Sequence, residues 1–414
     1  MDLRSRLLPV TIATGALLLV AACGNGPPAE NGVTVRDSAG VTIVESPAAL
    51  EELPLGWVVA ESAHVSIGVV EGEEPYQLFA VGGAARLGDG RIAVVNSGTQ
   101  EVRYFDGEGR FLSSSGRRGG GPGEYQFPRL VPPLGGSGEL LIWDARDRRF
   151  TLLDGEGSVL STATPDRLSG GPVGWDGDSM VLSRENSASA GPSSPEGIME
   201  NRATFQVIRL GGGDPVTLAE VPGRLYHARI GRQIWFRLIP YDAWPSAAAG
   251  PSAFFITSGA EPEVRVHGSG GELLRVLRVL REPTPVTPAD VERFVERELE
   301  SFDDAAMRAE WRDHYARMPA ATSAPVYQSG RPGERALHLD ATGHLWAERF
   351  QLDPDESATW SVFHPDGRAL GTVRTPAGLT VYQIGEDFVL GRTRDELEIE
   401  RVVLHRLERS GAGR

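Results

Sequence analysis

Glu139-Leu-Leu-Ile-Trp-Asp144, Arg149-Phe-Thr-Leu-Leu153, Asp154-Gly-Glu-Gly157 and Ser158-Val-Leu160 follow one another along the chain. The same succession occurs upstream as Arg91-Ile-Ala-Val-Val-Asn96, Glu101-Val-Arg-Tyr-Phe105, Asp106-Gly-Glu-Gly109 and Arg110-Phe-Leu112. Each copy is a β-rich run, a polar turn, a second β-rich run, an Asp/Gly hairpin and a third run. The turn glycines Gly109 and Gly157 lie 48 residues apart. Short strands and Gly-rich hairpins recurring at such a period are what four-stranded sheets repeated radially around an axis produce.

Weaker copies extend the pattern. Ser179 to Arg184, Thr204 to Leu210 and Val216 to Ala219 make a third. Phe254 to Thr257, Glu263 to Val266 and Glu272 to Val276 make a fourth. The fifth runs from Leu337 through His344-Leu-Trp-Ala347 and Trp360-Ser-Val-Phe363 to the turn His364-Pro-Asp-Gly367 and Ala369 to Val373. A sixth, Val381 to Ile384, Phe388 to Leu390 and Glu400 to Leu407, stops before any outer strand. An open edge at the seam of a ring would expose backbone donors and acceptors, so the missing strand is expected from the N-terminus. Val33 to Val35, Val41 to Val44 and the segment Trp57 to Val70 are the candidates.

Between the fourth and fifth copies the period becomes helical. Thr287 as a cap, Pro288 and Asp290 open a first helix with apolar residues Val291, Phe294, Val295 and Leu299. A second, from about Asp304 to Met318, carries Met307, Trp311 and Tyr315. The preferred reading packs this insertion on the side or rim of the ring; the alternative makes it a lid or docking arm anchored by Trp311 and Tyr315. The expected fold is thus all-β, a six-bladed β-propeller with a helical insertion at about 287–318 and N-terminal strand closure of the last blade.

The N-terminus reads separately. Arg4 and Arg6, an apolar stretch from Pro9 to Ala22, and Val20-Ala21-Ala22-Cys23 form a signal segment. It resembles a bacterial lipoprotein signal, which implies removal of residues 1–22 and acylation, including palmitate, of Cys23. About 14 apolar residues are short for a membrane span of about 20. Residues 23–32, with Pro27-Pro28, read as a tether, 33–409 as the propeller and 410–414 as a tail. Gly24 in place of an Asp after the cysteine favours the outer over the inner membrane.

Composition excludes several chemistries. All 41 basic residues are arginine, against 56 acidic ones, for a net charge of −15. The net charge and the lack of a basic stripe argue against a nucleic-acid partner. Without lysine there is no P-loop and no Schiff-base catalysis. The single cysteine rules out an intrachain disulfide or a Cys-based zinc cage.

The linker Gly119-Gly-Gly-Pro-Gly-Glu-Tyr-Gln-Phe-Pro128, followed by Leu140 to Asp144, Arg149 and Asp154 to Gly157, resembles the NHL-type repeat of six-bladed propellers, especially lipoprotein-anchored bacterial ones. Gly72-Glu-Glu-Pro-Tyr-Gln-Leu-Phe79 and Arg331-Pro-Gly-Glu334 are degenerate versions of the linker. The resemblance implies the fold but no particular activity.

Chemistry is therefore argued from residues. Neither a Gly-x-Ser-x-Gly elbow nor a His-Glu-x-x-His helix occurs. Asp176-Gly-Asp178 and Asp353-Pro-Asp355 read as turns, not calcium loops. His338 and His344 read as structural histidines; a metal site built across blades from His338, Asp144 and Asn96 is the competing assignment. No cofactor or metal is expected on the preferred reading. In a propeller the loop after each second strand and the linker into the next blade open on one face. Asn96, Asp144, Arg146, Arg148, Arg184 and Arg349 follow such strands, while Arg117, Arg118, Glu124 and Tyr125 lie in a linker. Arginine forks suit carboxylate or phosphate groups. The favoured function is a membrane-tethered module that binds a protein, peptide or glycan on this face without catalysis. The alternatives are a metal-dependent hydrolase or lyase with ligands on the axis, and a purely structural envelope component.

Overall fold

A computed structural model describes residues 32–132, 138–165, 167–190, 196–230, 234–329, 334–353 and 356–410. The signal segment, Cys23, nearly all of the tether, residues 331–333 of the degenerate linker and 354–355 of the Asp353 turn lie outside these.

The middle strands of the first two copies, Ile92–Asn96 and Leu140–Asp144, are buried along their whole length. Both faces of each are covered, so they read as continuous apolar runs rather than alternating ones. The outer strand Phe111–Ser115 is largely exposed. Among the described residues six sheets of four or more strands form, besides a two-stranded pair in the linker, with innermost strands Val81–Arg86, Pro128–Leu130, Gly171–Trp175, Ser246–Ala249, Leu337–Leu339 and Thr380–Ile384. The protein is an all-β propeller. Its apolar core is divided among the blade interfaces. Ala93 and Leu140 meet between blades one and two, Trp143 and Val181 between two and three, and Phe205 and Ala247 between three and four. Val264 and Leu345 join four to five, Trp346 and Val403 five to six, and Leu404 and Val94 six to one. The last of these interfaces closes the ring.

Repetition of the hairpins has a local cause. Asp106 Oδ1 accepts from the backbone N–H groups of Glu108 and Arg110 at 3.0 and 2.8 Å, and Asp154 Oδ1 does the same for Glu156 and Ser158 at 2.9 and 2.8 Å. Gly109 and Gly157 then take φ of +82° and +85°, where a side chain would be strained. The Asp176 turn uses the same bonds, to Asp178 and Met180.

The three N-terminal candidates for closure divide between two blades. Val58–Val59 and Val65–Ile67 pair antiparallel with Glu400–Glu408 and complete the last blade, as the segment Trp57 to Val70 allowed. The earlier hairpin, Thr34–Ser38 and Val41–Pro47, goes elsewhere. Val41–Pro47 pairs parallel with Leu273–Leu280 and widens blade four to six strands. Helix α1 (Ala48–Glu52) follows and drives Glu51 into the protein, fully buried. There Tyr327 and Ser361 donate to its Oε1 at 2.7 and 2.6 Å, and Arg281 and Arg349 approach Oε2 at 3.3 Å each.

Blade three differs from expectation. Its strands Met180–Ala190, Glu196–Arg209, Val216–Ile230 and Ile234–Leu238 continue beyond the inner strand, whose first residue Gly171 pairs with Arg184. The excess forms an antiparallel ribbon rising from the face that carries the second-strand loops. Helices α2 (Pro288–Glu300) and α3 (Ala305–Arg317) pack on it. Thr287 and Asp290 form the expected reciprocal cap. Of the side or rim expected for the insertion, the helices take the rim, resting on this ribbon and the Ile239 to Tyr241 loop. Val295, Leu299, Trp311, Tyr315 and Met318 form a seventh core with Ile239, Leu225 and Ile198. Trp311 and Tyr315 are therefore internal packing residues. His227 of the ribbon and His314 of α3 meet at 3.2 Å. Among the described residues no helix is long and apolar enough to cross a membrane.

Candidate binding face at the propeller axis

The second-strand loops and inter-blade linkers do open on one face, but the candidate residues have separate tasks there. Asn96 is fully buried; its Oδ1 accepts from Phe79 N–H at 2.8 Å and its Nδ2 donates to Thr99 Oγ1 at 2.8 Å. Asp144 occupies the equivalent place one blade on. Its carboxylate accepts from the backbone N–H groups of Gln126, Arg146 and Asp147 at 2.6, 2.9 and 3.1 Å, and from Phe127 at 3.3 Å. Both residues hold the incoming linker against the inner strand, with Val81 opposite Asn96 and Pro128 opposite Asp144.

Glu124 accepts from Gly120 and Gly121 N–H and pairs with Arg117 at 2.8 Å, folding the Gly-rich linker on itself. Arg118 pairs backbone with Tyr125, whose ring is buried. Arg146 points to solvent, and Arg148 donates to Leu168 O. Arg184 donates to Pro245 O at 3.0 Å; burial first, then the nearby Arg224, lowers its pKa. Arg349 donates to Ser361 Oγ and Glu51 O at 2.9 Å each, inside the Glu51 cluster. None of these residues lines the cavities at the axis.

That opening is built from other side chains on the same face. A cavity of about 870 Å³ lies at the mouth between blades six, one and two, walled by Phe127, Arg129, Glu334, Arg392, Arg394 and the Asp395 to Glu398 loop. Below it, a space of about 210 Å³ is bordered by Arg129, Trp143, Arg335, Tyr382 and Arg392. A last space of about 20 Å³ is bounded by Arg335, His338, Tyr382 and Gln383. The three share walls along the axis.

The inner strands are poor in side-chain bulk because they crowd together there. A Cβ on Gly82 would stand 2.6 Å from Pro128 O of the next blade. Glu400 ties the seam: its Oε2 accepts from Val81 N–H at 2.7 Å and its Oε1 binds Arg392 at 2.8 Å. Arg392 also reaches Glu334 at 3.3 Å. Burial pushes Arg335 down to about 10 and, together with Arg335, holds His338 well below the ordinary histidine range.

The competing metal trio is not assembled. Asn96 and Asp144 are engaged by backbone N–H groups at their own linkers, whereas His338 lies down the axis with its ring edge-on to Trp360. Among the described residues no group of three or more His, Cys, Asp or Glu side chains could hold a metal ion. His344 contacts Thr342 Oγ1 at 2.8 Å and packs edge-on against Trp57, a structural placement.

Axial residues such as Arg129 escaped the sequence reading because the innermost strands of the first four copies were not recognised, although those of the last two were. Val81-Gly-Gly-Ala-Ala-Arg86 and the three-residue Pro128–Leu130 carry little β-branched or aromatic signal. A usable cue was position: Arg129 directly follows the linker motif, and Arg392 and Arg394 end the second strand of the last copy.

No family model matches the chain, and no curated protein matches it. Solved structures do align. A member of the DUF4221 family from Bacteroides vulgatus has 11% identity and a TM-score of 0.49, covering 86% of this chain and 99% of its own. A putative exported protein from Bacteroides fragilis has 10% identity and a TM-score of 0.45, over 89% and 100% of the two chains. Virginiamycin B lyase from Staphylococcus aureus has 10% identity and a TM-score of 0.35, over 85% and 99%. Likeness this distant bears on no activity.

Proposed function

We propose that this chain is a binding module of the bacterial cell envelope, held to a membrane by acyl chains on Cys23 and recognising a protein, peptide or glycan on one rigid face without catalysis. The observation that carries the reading is the open cavity of about 870 Å³ at the axis, on the face where loops of several blades converge. Its walls stand on strand ends fixed by Asn96, Asp144 and Glu400, so the surface is organised before any ligand arrives. Two acyl chains give stable anchoring where one is marginal. Gly24 after the lipidated cysteine favours the outer membrane.

A photo-crosslinking residue at Phe127, beside the cavity, tests the reading in native membranes; the same residue at Leu160, on the exposed outer strand of blade two, is the control. A discrete adduct from position 127 that persists in chelator, with none from 160, is expected. Adducts equal at both positions, or a hydrolytic activity lost on chelation, would sink it. Palmitate labelling abolished by Cys23→Ser, with release of the chain from membranes, tests the tether.

A further inference from the structure

We propose that the axial cavity takes a small amphiphilic anion, its carboxylate or phosphate headgroup held between Arg129 and Arg335 and its apolar body lying on the rim. This rests on the binding-face reading above and names the chemistry of its ligand.

Arg335 supplies the first argument. It leads into the innermost strand of blade five and walls both deeper cavities. Its contacts are long ones, to His338 Nδ1 at 3.5 Å and Tyr382 O at 3.4 Å. Among the described residues it forms no ion pair with a carboxylate. The neighbouring Glu334 carboxylate is bound by Arg392, and His338 is held neutral by burial and by Arg335 itself. At a pKa of about 10 the guanidinium still carries its charge at neutral pH. A largely desolvated cation whose nearest carboxylate, Glu334, attracts it without direct contact and is shared with Arg392 is costly, and an incoming anion would offset that cost.

Arg129 is the second. It walls the mouth and the middle cavity, and among the described residues its guanidinium forms no hydrogen bond or ion pair; it lies over the face of Phe127, 5.4 Å from the ring centroid. A bound headgroup would meet this guanidinium on the way to Arg335.

Exposed apolar side chains are the third. Phe79, Phe127 and Leu397 are 72%, 46% and 75% exposed. Phe127 is in the cavity wall, Phe79 precedes the wall residue Ala80, and Leu397 sits between the wall residues Glu396 and Glu398. Large apolar groups gathered at a cavity mouth mark a ligand surface. The acidic Asp395, Glu396 and Glu398 on the same rim repel an anion left outside, directing the headgroup inward and disfavouring polyanions. The space of about 210 Å³ accommodates a single headgroup, and the wider mouth its body.

Calorimetric titration of the full chain in nanodiscs of zwitterionic phospholipid, with empty nanodiscs as blank, tests this. The probes are 4-phenylbutyrate, 4-phenylbutyl phosphate, 4-phenylbutanol, 4-phenylbutylamine and inorganic phosphate. At least one phenylbutyl anion should bind tenfold or more tighter than the alcohol, the amine and inorganic phosphate. Which anion binds tighter distinguishes carboxylate from phosphate. Arg335→Met should weaken the anion at least tenfold, and the exposed Arg129→Gln at least threefold without moving the melting temperature. Should Arg335→Met fail to fold, Arg129→Gln and Phe127→Ser decide. Equal binding of the alcohol or amine, equal binding of inorganic phosphate, indifference to Arg129→Gln, or no binding of either anion would each overturn the inference. The crosslink at Phe127 judges the binding face independently of these results.

Discussion

Replacing Asp144 with alanine removes an acceptor from the backbone N–H groups of Gln126, Arg146 and Asp147, at 2.6, 2.9 and 3.1 Å, and from a longer contact to Phe127. Hydrogen bonds to a charged group contribute about 1.5–3 kcal/mol each. The freed donors sit in a linker and a loop where water reaches some of them, so the bonds do not add fully. A loss of about 3–5 kcal/mol is expected. Asp144→Asn keeps one oxygen, for Arg146 and Asp147, but turns an amide toward Gln126 N–H; about 1.5–3 kcal/mol should go. Unfolding entropy of about 2.1 cal/mol/K per residue over roughly 380 residues converts the alanine effect to a fall of about 4–6 °C for cooperative unfolding of the ring. Urea and thermal melts followed by circular dichroism measure both variants. An alanine variant within 1 kcal/mol of the parent would show that the carboxylate is not the clamp described, and would return Asp144 to the candidate ligand residues.

Two further outcomes concern buried charge. Glu51→Ala leaves Arg281 and Arg349 without their shared carboxylate and strands the Tyr327 and Ser361 hydroxyls. Because both guanidiniums retain some solvent, the loss should be near the lower end for a broken buried pair, about 3 kcal/mol by urea denaturation; an effect below about 1 kcal/mol refutes a stabilising role for the Glu51 cluster. Asp340 is the most deeply buried of several carboxylates held below their usual range. Burial alone would raise its pKa, but hydrogen bonding to His344, the Arg409 ion pair at 2.9 Å and Trp346 Nε1–H at 2.9 Å hold it at about 2. A depressed carboxylate stabilises above its unfolded pKa of about 4 and loses that contribution as the pH falls through the folded value. About 2 kcal/mol should disappear between about pH 4 and 2. In Asp340→Asn the fall in stability over this range should be smaller by about that amount, the other depressed carboxylates keeping theirs, and a profile unchanged by the substitution refutes the assignment.

The blades were legible because their outer three strands are coded locally. Ile92–Asn96 and Leu140–Asp144 are apolar on both faces, and Asp106 and Asp154 each cap a turn that a glycine finishes. Blade three was legible only in its ring portion, Ser179 to Arg184, Thr204 to Leu210 and Val216 to Ala219. Its ribbon bears the polar run Glu185-Asn-Ser187, whose strand character comes from pairing with Arg202 to Thr204 rather than from burial. The shared orientation of second-strand loops and linkers was also legible, since in a propeller they must open together. The tasks of their side chains were not, because Asn96 and Asp144 look like free polar groups until their N–H partners are placed.

Sequence alone determined the repeat, the turn chemistry and the need for an N-terminal strand at an incomplete last sheet. Tertiary structure decided which strand that is. Backbone pairing is nearly indifferent to side-chain identity, so Val41–Pro47 and Val65–Ile67 carry the same local pattern yet extend blades four and six. It also made the axial cavity, since Arg129, Arg335 and Arg392 come from three blades and become neighbours only when the ring closes.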